Sequence, residues 1–322
     1  MEFINRKQVE EALSLSKCIQ LSRDAFALLS QGRVKQTLRS VIASEQGSLM
    51  GTMPAYIEAG PYAGFGLKTV KVDLSHSKKR TSHEGCILLY DASDKGDIAL
   101  VDAAAVTELR TAAASALATD ILAPKNASRL AILGTGIQAK KHAQMMMEIR
   151  PFQHISIWGR SDTGATAFAE WCRQHLGLPI TVAMTPAQAI SDADIICTVT
   201  ASKEPFLHSN DLPARCHINA VGASALGFQE IGADIYAGVE LFVDSRDAVW
   251  NSSSCLLQAT QQGFLPKDNM GTEIGELLTS DILPITLNPQ RSLFKSVGLA
   301  VQDLVFARAV VAQTKISMNN GF

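Results

Sequence analysis

The sequence is poor in charged residues and lacks any long apolar run, and each lack excludes a class of protein. Charged residues make up 19% of the 322 positions, against about 25% in typical globular proteins. The net charge is −2 with no run of either sign, so the concentrated basic face that nucleic-acid binding requires is missing. No segment approaches the roughly 20 apolar residues of a membrane span. We therefore expect neither a nucleic-acid partner nor a membrane partner.

Patterns for disulfides, metal sites and secretion are missing too. The six cysteines lie far apart without a C-x-x-C pair, and the seven histidines lack the spacing of metal ligands. In a chain of this length, such cysteines are typical of reduced thiols. Residues 1–11 contain no apolar segment like that of a secretory signal. These features predict a cytoplasmic protein without a metal site.

The first third of the chain mixes helices with strands that are joined by hairpins. Apolar spacing and alternation predict a helix over 7–32, a strand over 66–72, a hairpin of 86–90 and 98–101 around a polar turn at 91–96, and an alanine-rich helix over 102–122. A final helix is expected from Gly298 onward, returning to this region. The length exceeds what one core usually holds. We predict a first, α+β domain built from residues 1–120 plus 300–322.

Past residue 124 the pattern becomes strand, glycine turn and helix, repeated. Strands are predicted over 129–133, 155–158, 194–199, 217–221 and 241–244, with helices between them. Strands that alternate with helices imply a parallel sheet covered on both faces. The fold class is therefore α/β.

One glycine turn matches the dinucleotide-binding fingerprint. Residues 134–139 read G-T-G-I-Q-A, after an apolar strand and at the start of a helix. The first glycine permits a tight turn, the second lets the backbone approach a pyrophosphate, and the alanine keeps the helix close to its strand. This predicts a Rossmann-type NAD(P)-binding domain over residues 121–299, with the cofactor contacted by Gly134, Gly136, Ile137, Gln138 and Ala139.

The next strand indicates which cofactor is preferred. An NAD enzyme places an acidic residue at that strand's end, to bind the ribose 2′-hydroxyl. Here the strand ends in Trp158-Gly159-Arg160-Ser161 without a carboxylate. Arg160 offers a planar fork for a 2′-phosphate, and Ser161 offers a second donor. We predict NADPH, with NADH as the alternative, and expect Thr198, Val199 and Thr200 at a later strand end to line the same cleft.

Three cationic residues occupy apolar surroundings. Lys68 shares a strand face with valines, where loss of hydration would lower its pKa and make it a proton donor near neutral pH. Arg110 interrupts the alanine-rich helix, and Arg39 lies in an expected strand. A substrate carboxylate would pair with such cations. The competing interpretation is structural ion pairing, with Glu108 or Asp102 as the partner of Arg110.

An ordered set of motifs resembles the ornithine cyclodeaminase/mu-crystallin family along essentially the whole chain. The motifs are Arg39, Met53-Pro54-Ala55-Tyr56, Gly66-Leu67-Lys68, Leu109-Arg110-Thr111-Ala112-Ala113, Gly134 to Ala139, Val221-Gly222-Ala223-Ser224, and Phe294 to Asp303. The resemblance implies that the domain built from both chain ends serves substrate binding and dimerisation, and that the protein is a homodimer. It implies a substrate amino- or imino-acid carboxylate held at Arg39, Lys68 and Arg110. It also implies further cofactor-cleft residues: Val221, Ser224 and Val297 near the nicotinamide, Thr111 near a phosphate, and Ser82 and His83 at the border.

Two departures from the family pattern bear on the reaction. Cyclodeaminases of the family carry an aspartate where this chain has Ser224, and a glutamate where it has Gly51. Without these carboxylates, ornithine cyclisation lacks its expected base. Serine at this position resembles the mu-crystallin branch, whose members reduce cyclic ketimines with NADPH. Either Lys68 or a water held by Ser224 would supply the proton.

The resemblance thus favours an NAD(P)H-dependent ketimine reductase. Its expected substrates are small cyclic imino acids: Δ1-pyrroline-2-carboxylate, giving L-proline, and Δ1-piperideine-2-carboxylate, giving L-pipecolate. Three alternatives stay open at this stage. The protein could aminate an open-chain keto acid as alanine dehydrogenases do, cyclise ornithine, or act without catalysis as an NADP-dependent small-ligand binding protein of mu-crystallin type.

Overall fold

The computed structural model describes residues 1–45, 48–73, 83–90, 98–279 and 290–319. The chain divides into two compact units, Met1–Arg110 with Leu299–Phe322, and Thr111–Gly298. The first boundary lies between Arg110 and Thr111, inside the alanine-rich helix. It precedes the predicted boundary at residue 120, near the end of this helix, by about three helical turns. The predicted polar turn at 91–96 lies outside the described residues.

The first unit is built on a seven-stranded sheet. Its elements are β1 (Glu2–Ile4), α1 (Arg6–Ala12), α2 (Leu15–Ser30), β2 (Val34–Gln36), β3 (Ser40–Ala43), β4 (Ser48–Ile57), β5 (Gly64–Asp73), β6 (His83–Tyr90), β7 (Ile98–Asp102), the first part of α3 (Ala103–Leu122), and α10 (Ala300–Asn319). The strand order is β1-β7-β6-β5-β4-β2, with β3 also paired to β4. All neighbours are antiparallel except β1 and β7.

The helix predicted over 7–32 is two helices. The chain breaks at Leu13 and Ser14, both in extended conformation, and the Ser14 side chain accepts a hydrogen bond from the amide of Lys17 as the cap of α2. A serine hydroxyl at this position satisfies one of the unpaired amides at a helix start. Apolar periodicity continues across the break, which is why spacing alone did not show it.

The carboxyl-terminal helix α10 packs on the sheet of the first unit. It contacts β4, β5 and β6 as well as α2. Gly66 of β5 allows this close approach, since a Cβ there would lie 2.9 Å from Cγ of Leu304. Alternation along β5 buries Gly66 and Lys68 and leaves Phe65 exposed. The strand thus presents Lys68 to the interior of this unit.

The second unit contains an eight-stranded, fully parallel sheet. Its elements are β8 (Arg129–Leu133), α4 (Ile137–Met147), β9 (His154–Trp158), α5 (Asp162–Leu176), β10 (Ile180–Val182), α6 (Pro186–Ile190), β11 (Ile195–Thr198), β12 (Cys216–Ala220), β13 (Glu240–Val243), α7 (Arg246–Ser252), α8 (Ser254–Gln261), β14 (Thr272–Glu273), α9 (Ile274–Thr279) and β15 (Arg291–Lys295). The order is β10-β9-β8-β11-β12-β15-β13-β14. Apolar residues of β8, β9, α4 and α5 form a buried core beside it.

The strand order reverses between β8 and β11. The chain proceeds outward from β8 to β9 and β10, then returns to place β11 on the other side of β8. Ligands of open parallel sheets bind at such a reversal, beyond the carboxyl ends of the strands. Strands β10, β14 and β15 were not predicted from the sequence; β15 inserts between β12 and β13. None of the helices in the described ranges is long and apolar enough to cross a membrane.

Candidate active site

The turn after β8 adopts a conformation that only glycine accommodates. Gly134 has φ of +128°, and a Cβ at this position would lie 2.8 Å from the carbonyl oxygen of Val199. The amide of Val199 in turn donates to Leu133 at 2.9 Å. The two loops that follow β8 and β11 are therefore in direct contact at the reversal of strand order.

The start of α4 is open toward a ligand. A Cβ on Gly136 would meet no atom within 4 Å, and Gly136 caps the helix without any side-chain hydrogen bond. Ile137 is half exposed, whereas Ala139 is fully buried against the core. Uncapped amides at a helix start bind phosphate groups. These features fit the pyrophosphate of a dinucleotide.

The predicted phosphate contacts after β9 are on the surface of this unit. Arg160 is exposed, and its side chain has no ion pair or hydrogen bond to the described residues. Ser161 caps α5: its hydroxyl oxygen accepts from the amide of Gly164 at 3.3 Å. The hydroxyl proton of Ser161 stays available to a ligand, so both residues can act as donors.

A buried carboxylate that the sequence analysis missed organises two other loops. Glu230 is 1% exposed and accepts from the Thr198 hydroxyl at 2.8 Å, the Ala223 amide at 3.2 Å and the Thr200 amide. Burial raises the pKa of Glu230 above its ordinary value, although the hydrogen bonds from Thr200 and Thr198 and the charge of nearby Lys295 act to lower it. The loops after β11 and β12 thus share one anionic anchor.

A second buried carboxylate anchors the loop after β15. Oδ2 of Asp244 accepts from the amides of Val297 and Gly298, each at 2.8 Å, and from the Ser296 hydroxyl at 2.8 Å. Burial raises the pKa of Asp244. An acidic residue directly after the apolar strand β13 was the available signal in the sequence. Glu230 had none, since it lies in an irregular segment.

In the first unit, Lys68 and Arg110 meet on one carboxylate. Nζ of Lys68 lies 3.0 Å and Nε of Arg110 lies 3.2 Å from Oδ1 of Asp303. Lys68 is 3% exposed, Arg110 is 5% exposed and Asp303 is fully buried. Lys68 also donates to the Thr107 hydroxyl oxygen at 2.7 Å. The group is a buried ammonium and a buried guanidinium held side by side.

Burial lowers the pKa of Lys68 from 10.5 to about 8. The charge of Asp303 opposes this change, and the like charges of Arg110 and Arg39 add to it. The direction is the one that the apolar strand face predicted. An ammonium with this pKa can release a proton near neutral pH.

Arg39 does not lie in a strand, contrary to the expectation. It belongs to the segment between β2 and β3, because pairing with β4 resumes only at Ser40. Its side chain lies beside Gly51 of β4: a Cβ on Gly51 would be 3.8 Å from Cδ of Arg39. The structure thus brings Arg39 and Lys68 into the same unit and within electrostatic reach of each other.

The partners suggested for Arg110 were wrong. Glu108 pairs with Arg6 at 2.8 Å, and Asp102 accepts from the amide of Ala105 at the start of α3. The observed partner is Asp303, which lies in α10 and was assigned no role from the sequence. Its separation from Arg110 along the chain, 193 positions, explains why local pattern did not reveal it.

The remaining predicted cofactor residues lie in the second unit, apart from two. Val221 is buried at the end of β12 and donates to Thr198, while Ser224 is partly exposed in the loop that follows. Thr111 is 8% exposed in α3, and Thr198 is fully buried with its hydroxyl committed to Glu230. His83 begins β6 in the first unit, and Ser82 lies outside the described residues.

The chain combines a parallel sheet with a dinucleotide-type glycine turn and a buried pair of cations. These are the features of a nicotinamide-dependent oxidoreductase acting on a small acid. The chain belongs to the ornithine cyclodeaminase/mu-crystallin family, whose model matches residues 2–317. It is 32% identical over 314 residues to the ketimine reductase mu-crystallin of Macropus fuliginosus, covering 96% of each chain.

Two further relatives are similar along their whole length. A Δ1-pyrroline-2-carboxylate reductase of Bacillus cereus is 30% identical over 313 residues, covering 96% of this chain and 95% of that one. The solved structure of the Thermococcus litoralis Δ1-pyrroline-2-carboxylate reductase, in complex with NADH and L-proline, matches with a TM-score of 0.91 at 27% identity. It covers 99% of this chain and 98% of that chain.

Proposed function

We propose that the protein is an NAD(P)H-dependent reductase of cyclic ketimines. Its principal substrate is Δ1-pyrroline-2-carboxylate, which it reduces to L-proline, and Δ1-piperideine-2-carboxylate is a second substrate giving L-pipecolate. The observation that carries the proposal is the buried Lys68–Asp303–Arg110 group in a chain that also has the glycine turn of a dinucleotide site. The relatives named above support the substrate class.

The reaction adds one hydride and one proton across the C=N bond. The reduced nicotinamide, when bound, supplies the hydride to carbon. Arg110 and Arg39 bind the substrate carboxylate and fix its orientation. The Lys68 ammonium gives its proton to the ring nitrogen as the C=N π bond breaks. The neutral Lys68 amine that remains then takes a proton from solvent. A water bound by Ser224 is the alternative donor.

Two positions oppose cyclodeamination. Gly51 leaves the side of Arg39 without the carboxylate that cyclodeaminases carry there, and Ser224 replaces their aspartate. Neither residue can abstract a proton at neutral pH in the way a carboxylate does. Arg160 is exposed after β9, and residues 157–161 at this strand end contain no carboxylate, which supports NADPH as the preferred cofactor.

The deciding experiment is a substrate panel with purified protein. Both cyclic imines, pyruvate with ammonium, and ornithine are each incubated with NADPH and with NADH. We expect oxidation of NADPH with the cyclic imines and little rate with pyruvate and ammonium. Ammonia release from ornithine without net cofactor turnover would establish cyclodeamination. NADPH binding without any turnover would establish a binding protein.

We propose a homodimer that assembles through the outer face of the first sheet. Phe65 is 61% exposed, Tyr90 is 46% exposed and Phe3 is 68% exposed. The Phe65 ring packs against the Tyr56 ring of the neighbouring strand, with ring centroids 4.4 Å apart and ring planes tilted by 33°. Exposed aromatic surface of this kind marks an interface, and a second copy of the chain is its occupant in our proposal. None of the six cysteines forms a disulfide bond, which supports the cytoplasm as the location.

A further inference from the structure

The carboxylate of Asp303 is placed by three separate elements of the first unit. Asp303 lies in the first turn of α10, where the helix dipole favours a negative charge. The cations that it binds come from β5 and α3, so one fully buried side chain joins strand and helix at the acid-binding cations. Its Oδ1 alone accepts from both Lys68 and Arg110.

The second oxygen of Asp303 distinguishes this carboxylate from a structural one. Oδ2 is buried and has no hydrogen-bond partner in the described structure. By contrast, Asp244 and Glu230 use both carboxylate oxygens to accept hydrogen bonds. An unpaired buried acceptor destabilises the fold. The charge of Asp303 is therefore balanced by its two cations and by no network of neutral donors.

We propose that Asp303 is a positioning residue, the fixed counter-ion that holds Lys68 and Arg110 together and keeps the Lys68 amine charged in its buried position. Asp303 acts through Lys68 and does not itself contact the substrate. The inference rests on the proposed function for its catalytic consequence, since Lys68 must be protonated both to attract the substrate acid and to give a proton to the imine.

The charges that act on Lys68 come from three directions. Arg110 of α3 and Arg39 of the β2–β3 segment favour loss of the Lys68 proton, as burial does, while Asp303 of α10 favours its retention. The balance leaves the pKa of Lys68 at about 8. Removing the charge of Asp303 leaves two like charges and burial unopposed. The pKa of Lys68 then falls, and the neutral amine predominates at physiological pH.

The test measures Lys68 directly in full-length protein labelled with 13C at lysine Cε. The Lys68 resonance is assigned by its loss in Lys68→Met, and its titration is followed in wild type, Asp303→Asn and Asp303→Glu. Asn keeps an oxygen acceptor and removes the charge, whereas Glu keeps the charge. Asp120→Asn is the matched control, because it removes the same charge from the ion pairs with Lys125 and Arg150 in the other unit.

We expect the Lys68 midpoint to fall by at least about one pH unit in Asp303→Asn and to stay near the wild-type value in Asp303→Glu and Asp120→Asn. The basic limb of kcat/KM for the cyclic imine should move with it. At pH 9, each unit lost lowers the protonated fraction about tenfold, and the rate should fall in proportion.

An unchanged midpoint in Asp303→Asn overturns the inference. If that variant does not fold, the wild-type titration still decides, because a midpoint well below pH 7 would mean that Asp303 does not keep the amine charged. Failure of the proposed function is distinct. In that case the Lys68 midpoint shifts as described, but the wild type reduces no cyclic imine, or the basic limb of the kcat/KM profile does not move in Asp303→Asn.

Discussion

The Thr198 hydroxyl at the carboxyl end of β11 donates a 2.8 Å hydrogen bond to the buried Oε2 of Glu230. The same carboxylate accepts from the amides of Thr200 and Ala223. Three donors from the ends of two adjacent strands therefore depend on one side chain. In our proposal these loops contact the nicotinamide half of the cofactor, so Glu230 determines their shape without contacting the ligand.

Replacing Glu230 by Gln should weaken cofactor binding. One acceptor becomes an amide donor, which leaves a backbone amide unpaired and lowers the free energy of unfolding by about 1–3 kcal/mol. We expect a higher Kd for NADPH, measured by fluorescence titration, with a smaller change in KM for the imine. Glu240→Gln, at the exposed start of β13, is the control. Equal Kd values for the two variants would contradict the role of Glu230.

Replacing Arg160 by Asp should shift preference toward NADH. The substitution removes the 2′-phosphate donor and supplies the acidic group that binds a ribose 2′-hydroxyl. A charged hydrogen bond is worth about 1.5–3 kcal/mol, so the NADPH to NADH ratio of kcat/KM should fall about tenfold or more. Arg173→Asp, on the exposed side of α5, should leave the ratio unchanged. An unaltered ratio in Arg160→Asp would refute the assignment.

Replacing Arg110 by Ala should raise KM for the cyclic imine. The variant loses a charged contact to the substrate carboxylate, which corresponds to about a tenfold to hundredfold change. Affinity for NADPH should stay nearly intact, as measured by titration without substrate. Comparable losses of imine and NADPH affinity would instead mean that Arg110 supports the fold. Thermal unfolding of the variant separates that outcome from a local effect.

Stability should decrease below neutral pH because of two buried histidines. Burial lowers the pKa of His142 and of His217 to about 4, below the ordinary value near 6.5. The unfolded chain binds these protons first, so the stability that the neutral rings contribute above pH 6.5 is lost as pH falls toward 4. Urea unfolding over this pH range should show the free energy of unfolding decreasing by up to about 3 kcal/mol per histidine. His217→Gln should make this decrease smaller; an equal decrease would contradict the prediction.

Replacing Phe65 by Lys should dissociate the dimer. A charge on the aromatic face opposes burial of this surface against a second copy. Light scattering after size-exclusion chromatography should show the mass of a monomer, against twice that mass for wild type. Phe264→Lys, which is 37% exposed in the other unit, controls for a general effect of added charge. A measured mass of 34.5 kDa for the wild type, which is the mass of one chain, would contradict the proposed dimer.

Local pattern was sufficient for the nucleotide turn and insufficient for the charge group in the first unit. Gly134, Gly136 and Ala139 lie within six positions, so the strand, turn and helix that they define are visible in a short window. Lys68 and Asp303 are 235 positions apart. Periodicity showed that Lys68 is buried but gave no means of finding its partner, because the contact exists only after α10 packs on the sheet.

The sheet order was unpredictable for the same reason. Strand β15 follows β14 in the chain but inserts between β12 and β13, and alternation along a strand does not encode its neighbours. The predicted strand at Arg39 failed because pairing with β4 is interrupted between Gln36 and Ser40. Such interruptions depend on the partner strand rather than on the sequence of the segment itself.

The missing side chain at Gly51 leaves space beside the guanidinium-bearing side chain of Arg39. A Cβ there would lie 3.5 Å from Cγ1 of Val70 and 3.8 Å from Cδ of Arg39, so a small substituent is tolerated without backbone movement. A substitution at Gly51 would therefore place its first side-chain carbon between Val70 and Arg39, so that β4 offers a position where a functional group can be added next to this guanidinium.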